Sequence, residues 1–502
     1  MTRICTASVL ILILFAALQA SGASPGFDAK LASRVVAAAI AFTAPRVLVP
    51  ATPAELTLWG LHGITALDPS LSADRQGAVV RLATADRLLL ARAAPPQDDA
   101  AAWGRLAAEF YESAYAASIA LHRAGFQAML QSFFDEMFDH VDAYSRYVPP
   151  APAEAARSRL SLDAGAGLNL LRKNGGVVIS DVVPGGPGAF AGARVGDRLL
   201  TVDGRDVRRA SIAHVASMLT GVEGSEVGLR VRGLDGAVRD LLLTLAFVPP
   251  ETVFATREQD LFVIRVTAFD GNTAERLSQA LEAGTVATPP PAAIVIDLRG
   301  NRGGLLRQAV TAVALLAEQG VIASTAGRDP QATHDWRIDG GGDLTHGAKL
   351  VLLVDANTAS AAEIMAAALA DLGRGVVVGS TTLGKGLVQT ITSLPDGGEL
   401  YVTWSRVLAP KSWPIQTLGV MPQVCTSRGT DDLHRQLDDL AAGRWDLAEA
   451  VAHSRAARAP LPMAQALDLR QPCPAAEGGD LDLQAANFLA VHPAAYQAAL
   501  VR

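Results

Sequence analysis

The chain has 502 residues, of which 50% are hydrophobic and 19% charged, so it holds enough apolar material for about three domains and is not a disordered tail. Lysine and arginine number 43 against 50 acidic residues, which gives a formal net charge of −7. A negative chain has no global positive field to attract nucleic acid or an anionic membrane. Both are therefore excluded as partners.

Residues 1–23 have the order of a secretory signal peptide. Arg3 precedes an apolar run at 9–18, and small residues follow up to Ala23. The apolar run is too short for a membrane-spanning helix. We expect cleavage after Ala23 and export across the inner membrane to the periplasm, with retention as a membrane anchor as the alternative.

Changes in residue pattern divide the remaining chain into four regions, which together predict a multidomain α+β protein. They are a helical domain (24–155, with helices at 55–67, 75–92 and 101–140), a β-rich module (160–248), an α/β region (251–424) and a helical tail (425–502). In the α/β region we expect strands at 261–266, 292–298, 350–354 and 375–378, and helices at 273–283, 305–318 and 360–372. Uniformly apolar strands that alternate with helices indicate a sheet covered on both faces.

Ser360 follows one predicted strand and opens a predicted helix. A hydroxyl at this position is exposed and close to backbone N–H donors, which suits a nucleophile. The structural alternative is a helix N-cap, with Glu363 three residues later completing a capping box.

Lys385 stands between Gly384 and Gly386 after the next predicted strand. Burial beside Ser360 would favour the neutral amine, which could then act as a general base, a role that arginine cannot take. Gln389 lies four residues further on in a predicted strand, on the same face, and could orient the amine. A solvated surface lysine is the alternative.

A glycine-rich loop at 299–304 joins the predicted strand 292–298 to the next helix. Glycines permit positive φ angles and leave backbone N–H groups exposed at a helix start, where an anion or a developing oxyanion is stabilised. A simple tight turn is the alternative.

Other chemistries find little support. Residues 379–386 nearly match a P-loop, but glycine replaces the Ser/Thr that binds Mg²⁺, and an extended run follows where a helix should begin. No zinc-binding motif is present and the nine histidines are scattered, so we expect no metal ion and no organic cofactor. Cys425 and Cys473 predict a disulfide in an oxidising compartment, with two separately buried thiols as the alternative.

Three motifs resemble those of the C-terminal processing (tail-specific) serine peptidases. They are I-D-L-R-G-N-x-G-G at 296–304, T-A-S-A-A-E at 358–363 and G-K-G-x-V-Q at 384–389, and Lys385 lies 25 positions after Ser360, as in that family. The resemblance runs from about 127 to 424 and implies an α/β peptidase core of the crotonase/ClpP-like type.

The resemblance also implies roles for individual residues. Ser360 would be the nucleophile, Lys385 the general base and Gln389 the residue that orients the lysine. The oxyanion would be bound by the backbone N–H of Ala361 and by that of one glycine in the pair Gly303 and Gly304, with the choice between the two left open.

The same family carries a PDZ domain, and the β-rich module resembles one. Its carboxylate-binding loop would fall on Ala166, Gly167 and Leu168, beside a helix at 211–220. Such a loop offers backbone N–H groups to a terminal carboxylate while the peptide adds a strand to the sheet edge. A plain β-sandwich is the alternative.

These features predict an exported serine endopeptidase that cleaves proteins or peptides selected by their free C-terminus. An adaptor protein is a further partner that this arrangement allows, and the oligomeric state is not predicted. The alternative is a PDZ scaffold that keeps the peptidase fold without catalysis.

Overall fold

The computed structural model describes residues 26–154, 164–173, 175–183, 185–246 and 251–500. The predicted signal peptide lies outside the described residues. The described chain forms two compact units, one of residues 26–40 and 53–140, the other of residues 41–52 and the chain from 141 onward. Among the described residues, no helix combines the length and the apolar character needed to cross a bilayer.

The first unit combines helices with a small antiparallel sheet. Side-chain caps begin its two longest helices, since Asp99 accepts the N–H of Ala102 and Ser118 accepts that of Leu121. The elements in chain order, including the whole first helix, are α1 (Ala29–Thr43), α2 (Pro53–Leu61), α3 (Gly63–Leu67), β1 (Leu71–Gln76), β2 (Val79–Thr84), β3 (Leu88–Ala93), α4 (Ala100–Ala117) and α5 (Ile119–Asp139).

The helix predicted at 75–92 is wrong. This stretch belongs to the three-stranded sheet of β1, β2 and β3. Gly77, at φ +62°, forms the tight turn between β1 and β2, a conformation that favours glycine and ends any helix. Val80 and Leu82 are buried in alternation along β2, which is the period of a strand. Because residues 75–92 are rich in alanine and leucine, which favour helices, the alternation typical of a strand was not recognised in the sequence.

A short strand, β4 (Arg146–Val148), precedes the β-rich module, which has its own core around Val177, Leu199 and Val215. Its main sheet has the order β12-β11-β8-β7-β6, so β6 is an edge strand. The elements are β5 (Ala164–Gly165), β6 (Leu168–Lys173), β7 (Gly176–Val182), α6 (Pro187–Phe190), β8 (Arg198–Val202), β9 (Arg205–Asp206), α7 (Ile212–Met218), β10 (Thr220–Gly221), β11 (Glu226–Arg232) and β12 (Val238–Thr244).

The α/β region is built on a six-stranded sheet of order β13-β14-β15-β18-β19-β22, parallel except at the β13 edge. The predicted alternation of strands and helices is present. The elements are β13 (Val253–Glu258), β14 (Leu261–Val266), α8 (Thr273–Thr285), β15 (Ala293–Asp297), α9 (Leu306–Ala314), β16 (Gly320–Gly327), β17 (His334–Ile338), β18 (Leu350–Val354), α10 (Ala361–Asp371), β19 (Val376–Gly379), β20 (Leu387–Ser393), β21 (Glu399–Leu408) and β22 (Val424–Cys425).

Strands from the same region of the chain form a second sheet, of order β17-β16-β21-β20. The short strand β4 pairs with β21 of this sheet. Residues 146–148 are therefore part of the second unit, although the sequence assigned them to the helical domain. The pairing of β4 brings the preceding segment next to β21, where the Thr403 hydroxyl donates to Asp142 Oδ1.

The helices of the tail form a layer on one face of the parallel sheet. Leu437 and Leu489 pack with Val351 and Val378 on one face of the parallel sheet, while α8, α9 and α10 cover the other. Parallel sheets are stable when both faces are covered, so the tail completes this fold. Its helices are α11 (Thr430–Ala441), α12 (Ala448–Ala456), α13 (Met463–Arg470), α14 (Asp480–Val491) and α15 (Pro493–Ala499).

Candidate active site

Three loops meet at the carboxyl edge of the parallel sheet. Strands β15, β18 and β19 are neighbours, and the loops after them are residues 298–305, 355–360 and 380–386. Backbone hydrogen bonds join the loops, from the Ala359 N–H to the Asn301 carbonyl (2.9 Å) and from the Leu383 N–H to the Thr358 carbonyl (3.0 Å). All three sequence motifs therefore lie in one site.

Ser360 stands at the N-terminus of α10 in a strained backbone conformation. Its φ and ψ angles are 58° and −120°, a region that non-glycine residues seldom adopt. Strain of this kind costs about 1–3 kcal/mol and persists only where the surroundings impose it. The half-buried serine is therefore held at the turn between the β18 loop and the helix by more than a helix cap.

Glu363 supplies the main constraint on this turn. Its side chain is fully buried, and one carboxylate oxygen, Oε2, accepts the backbone N–H of Ser360 and that of Lys385, each at 2.8 Å. The other oxygen, Oε1, accepts the Gly384 N–H (2.7 Å) and the Thr382 hydroxyl (2.5 Å). Burial raises the pKa of Glu363, while these hydrogen bonds act in the opposite direction.

The Lys385 side chain points to an aromatic ring. Its Nζ lies 5.5 Å from the centroid of the Tyr144 ring, within the range of a cation–π contact. Within the described ranges, Nζ makes no hydrogen bond and no ion pair. Ser360 and Lys385 are thus joined through their backbones and Glu363, and their side chains are not hydrogen-bonded in this state.

Gln389 lies on β20 in a polar network that leads to the same tyrosine. Its Nε2 donates to the Thr403 hydroxyl (3.1 Å), which donates to Asp142 Oδ1 (2.8 Å). The same oxygen of Asp142 accepts the N–H groups of Tyr144 (2.8 Å) and Ser145 (2.9 Å). The structure therefore connects Gln389 with the segment that carries Tyr144.

The glycine pair Gly303 and Gly304 lies against the serine turn. A Cβ on Gly303 would come within 2.8 Å of the Ser360 Cβ and 2.9 Å of the Ala361 nitrogen, so only glycine fits there. The Gly303 N–H donates to Asn301 Oδ1 (2.8 Å). In the part of the chain that the structure describes, the N–H groups of Ala361 and Gly304 have no hydrogen-bond partner.

Phe269 holds Gly304 in place through its backbone. The Phe269 N–H donates to the Gly303 carbonyl (3.0 Å), and the Leu305 N–H donates to the Phe269 carbonyl (2.7 Å). A Cβ on Gly304 would come within 2.1 Å of the Phe269 oxygen. The Gly304 N–H is therefore held in a fixed position, and no acceptor for it lies among the described residues.

The tail contributes Arg470 to the lysine loop. Its guanidinium donates to the carbonyls of Thr417 (2.9 Å), Leu418 (3.0 Å) and Thr382 (2.9 Å), just before Gly384. Burial lowers the pKa of Arg470, and the negative charge of Glu363 opposes this effect.

A disulfide joins Cys425, at the end of the sheet, to Cys473, three residues after Arg470. The Thr381 hydroxyl donates to the Cys473 carbonyl (2.5 Å), so the bridged segment also touches the lysine loop.

In the β-rich module, two neighbouring backbone N–H groups of the predicted carboxylate-binding loop differ in whether they already form a hydrogen bond. The Ala166 N–H donates to the Leu219 carbonyl (3.0 Å), whereas the Gly167 N–H has no partner among the described residues. Gly167 has a φ of +66°, and Leu168 begins the edge strand β6. The loop thus opens onto an unpaired strand edge.

Sequence reasoning missed two residues of this site. It treated Glu363 only as part of a helix cap, although its spacing from Ser360 was the signal that could have drawn attention to it. Arg470 has no local signal at all, because its three acceptors lie 52 or more positions away in the chain.

Comparison with known proteins identifies two families in the chain. The family model described as peptidase family S41 matches residues 260–426, and a PDZ domain model matches residues 178–233. These regions contain the three loops and most of the β-rich module.

Several named relatives match the chain over a little more than half its length. The chloroplastic C-terminal processing peptidase of Tetradesmus obliquus is 33% identical over 56% of this chain and 64% of that protein. The carboxy-terminal processing protease CtpA of Bacillus subtilis is 29% identical over 56% and 60%. The carboxyl-terminal-processing protease of a Picosynechococcus strain is 32% identical over 56% and 69%. The chain thus spans less than two thirds of the length of the first two relatives.

These matches define the class as a serine-type peptidase core combined with a PDZ domain. The chain belongs to the carboxy-terminal processing peptidases of peptidase family S41. The resemblance drawn from the three sequence motifs is confirmed.

The strained conformation of Ser360 predicts a difference between two substitutions. Ser360→Gly relieves the positive φ angle, whereas Ser360→Ala removes the hydroxyl and keeps the strain. We expect the glycine variant to be more stable than the alanine variant by about 1 kcal/mol, measured by denaturant unfolding of the full chain. Equal stability, or a more stable alanine variant, would show that the turn is not strained.

Arg470 is predicted to order the lysine loop. Arg470→Ala leaves three carbonyls without their donor, so we expect amide hydrogen exchange in residues 380–390 to become at least about tenfold faster. Arg435→Ala, which removes an exposed arginine from the same tail, is the control and should change nothing in this loop. Unchanged exchange in the Arg470 variant would contradict the prediction.

Proposed function

We propose that this chain is a serine endopeptidase in which Ser360 is the nucleophile and Lys385 the general base. The observation that carries the proposal is the shared hydrogen bonding at Glu363, where one buried oxygen accepts the N–H of both residues. The N–H groups of Ala361 and Gly304, which have no partner among the described residues, lie beside the serine turn. Nucleophile, base and oxyanion donors are the groups that acyl transfer needs.

The chemistry proceeds in two stages. The Ser360 hydroxyl attacks the carbonyl carbon of the substrate while Lys385 Nζ takes its proton, and the oxyanion is bound by Ala361 N–H and a glycine N–H. Of the glycine pair we assign Gly304, since the Gly303 N–H is used by Asn301. Lys385 returns the proton to the leaving amine, and water then hydrolyses the acyl-enzyme with the same lysine as base.

The resting position of Lys385 sets a condition on this mechanism. Its amine lies over Tyr144 and must turn towards Ser360 before it can accept a proton. Gln389, which reaches Tyr144 through Thr403 and Asp142, is placed to take part in that movement and to orient the amine. We assign Gln389 as a positioning residue for Lys385.

The β-rich module supplies the selection of substrates. A C-terminal carboxylate would bind at the loop of Ala166, Gly167 and Leu168, where the Gly167 N–H is available, and the peptide would pair with the free edge of β6. The substrates would be proteins or peptides with a free C-terminus. The signal-like segment 1–23 supports export and action in the periplasm.

The proposal is tested with purified residues 24–502 and an unfolded protein substrate that has an apolar C-terminus. Ser360→Ala and Lys385→Ala should each lower the cleavage rate more than about a thousandfold, since each removes a reacting group. Lys30→Ala, an exposed lysine on α1, is the matched control and should cleave like the wild type.

Turnover that survives in Lys385→Ala would reject the lysine as base. A folded wild-type protein without any cleavage would favour the catalytically silent PDZ scaffold.

A further inference from the structure

The β-rich module contains a cavity that is lined by arginine. Its volume is about 690 Å³, and its walls include Arg198, Arg208, Arg209 and Arg232, together with Asp206. This cluster is notable because the whole chain carries a net charge of −7. Four guanidinium groups around one space create a local positive field that the composition does not predict.

In the part of the chain that the structure describes, Arg208 is the one arginine of the cavity that forms an ion pair. Arg208 pairs with Asp206, with 3.0 Å between Nε and each carboxylate oxygen. Among the described residues, the guanidinium groups of Arg198, Arg209 and Arg232 have no carboxylate partner. Arginine recognises carboxylates with paired N–H donors, so the free groups are suited to an acidic ligand.

The cavity begins where the proposed peptide groove ends. Of the residues that line it, Gly175 lies between β6 and β7, and Gly176, the first residue of β7, pairs with Lys173, the last residue of β6. At the same end, the Arg172 guanidinium on β6 donates to the carbonyl of Ala210, the residue after Arg209. The far end of β6 and the arginine loop are therefore neighbours.

The direction of a bound peptide follows from this arrangement. Its carboxylate lies at the loop before Leu168, where β6 starts, so a peptide that pairs with β6 runs antiparallel to that strand. β6 has six residues, and a paired peptide advances at the same spacing per residue. The part of the substrate that emerges at the Gly175 turn is therefore about six to eight positions before its C-terminus.

We infer that the cavity is a second recognition site for substrates, which binds acidic side chains about six to eight positions upstream of the C-terminal carboxylate. This inference rests on the proposed binding of C-termini by the β-rich module. The substrate class thus becomes proteins whose last residues are apolar and are preceded by an acidic segment. The site would add affinity and would fix the register of the bound tail.

The test is peptide binding to the full chain carrying Ser360→Ala, measured by fluorescence anisotropy. Three labelled twelve-residue peptides share an apolar C-terminus and differ at positions six to eight before it, with Asp, Ser or Lys. We expect the Asp peptide to bind about tenfold more tightly than the Ser peptide, and the Lys peptide more weakly than both. The advantage should shrink as salt is raised.

A matched pair of variants tests the location. Arg209→Gln with Arg232→Gln removes two charges from the cavity wall and should abolish the preference for Asp. Arg194→Gln with Arg205→Gln removes two exposed charges of the same module outside the cavity and should retain it. Each pair removes two positive charges, so the pair Arg194 and Arg205 controls for the change in net charge.

Two further peptides separate this inference from the proposed function. Moving the three Asp residues next to the C-terminus should remove the advantage, and replacing the free carboxylate by an amide should weaken every peptide. Equal binding of the Asp and Ser peptides, with the carboxylate still required, overturns the arginine site alone. Equal binding of acid and amide forms overturns recognition of the C-terminus itself, and with it this inference.

Discussion

The buried carboxylate of Glu363 is the constraint on which the candidate site depends. A carboxylate without hydrogen bonds inside a protein is costly, so its burial requires donors from all sides. Here the donors are the backbone of Ser360, the backbone of Gly384 and Lys385, and the Thr382 hydroxyl. Satisfying one charge therefore brings the turn before α10 and the loop after β19 to the same point.

The shared acceptor fixes the backbones of Ser360 and Lys385 but does not bind their side chains. Ser360 and Lys385 approach each other through a common acceptor, while the lysine amine rests over Tyr144. Gly303 lets a third loop pack against the serine turn, and Gly304 lets the same loop pack against the backbone of Phe269. The backbone is thus constrained where the oxyanion would be bound, while the group that would carry the proton contacts Tyr144.

The tail extends this constraint beyond the region that the peptidase family model covers. Its helices bury the second face of the sheet, and Arg470 binds three carbonyls beside the lysine loop. A guanidinium near Glu363 also balances the buried negative charge. The peptidase core and the tail are therefore one folding unit, with the Cys425–Cys473 disulfide between them.

The sequence predicted those features that depend on short stretches of the chain. Apolar strands alternating with helices predicted a sheet covered on both faces, and the resemblance carried by the three motifs implied that Ser360 and Lys385 act together. The prediction was wrong at 75–92, where alanine and leucine suggested a helix and Gly77 makes a turn. Arg470 could not be predicted, because its role depends on which distant segments the tail packs against.

The most direct test of this account is the turnover of Glu363→Gln beside Glu282→Gln, an exposed change of the same kind on α8. The amide keeps the shape but replaces one carboxylate oxygen by an NH₂ group, so the backbone N–H groups of either Ser360 and Lys385 or the neighbouring Gly384 lose their acceptor. We expect kcat for peptide cleavage to fall about a hundredfold with little change in KM, in a protein that remains folded. A folded Glu363→Gln variant with the kcat of the control would contradict the central claim.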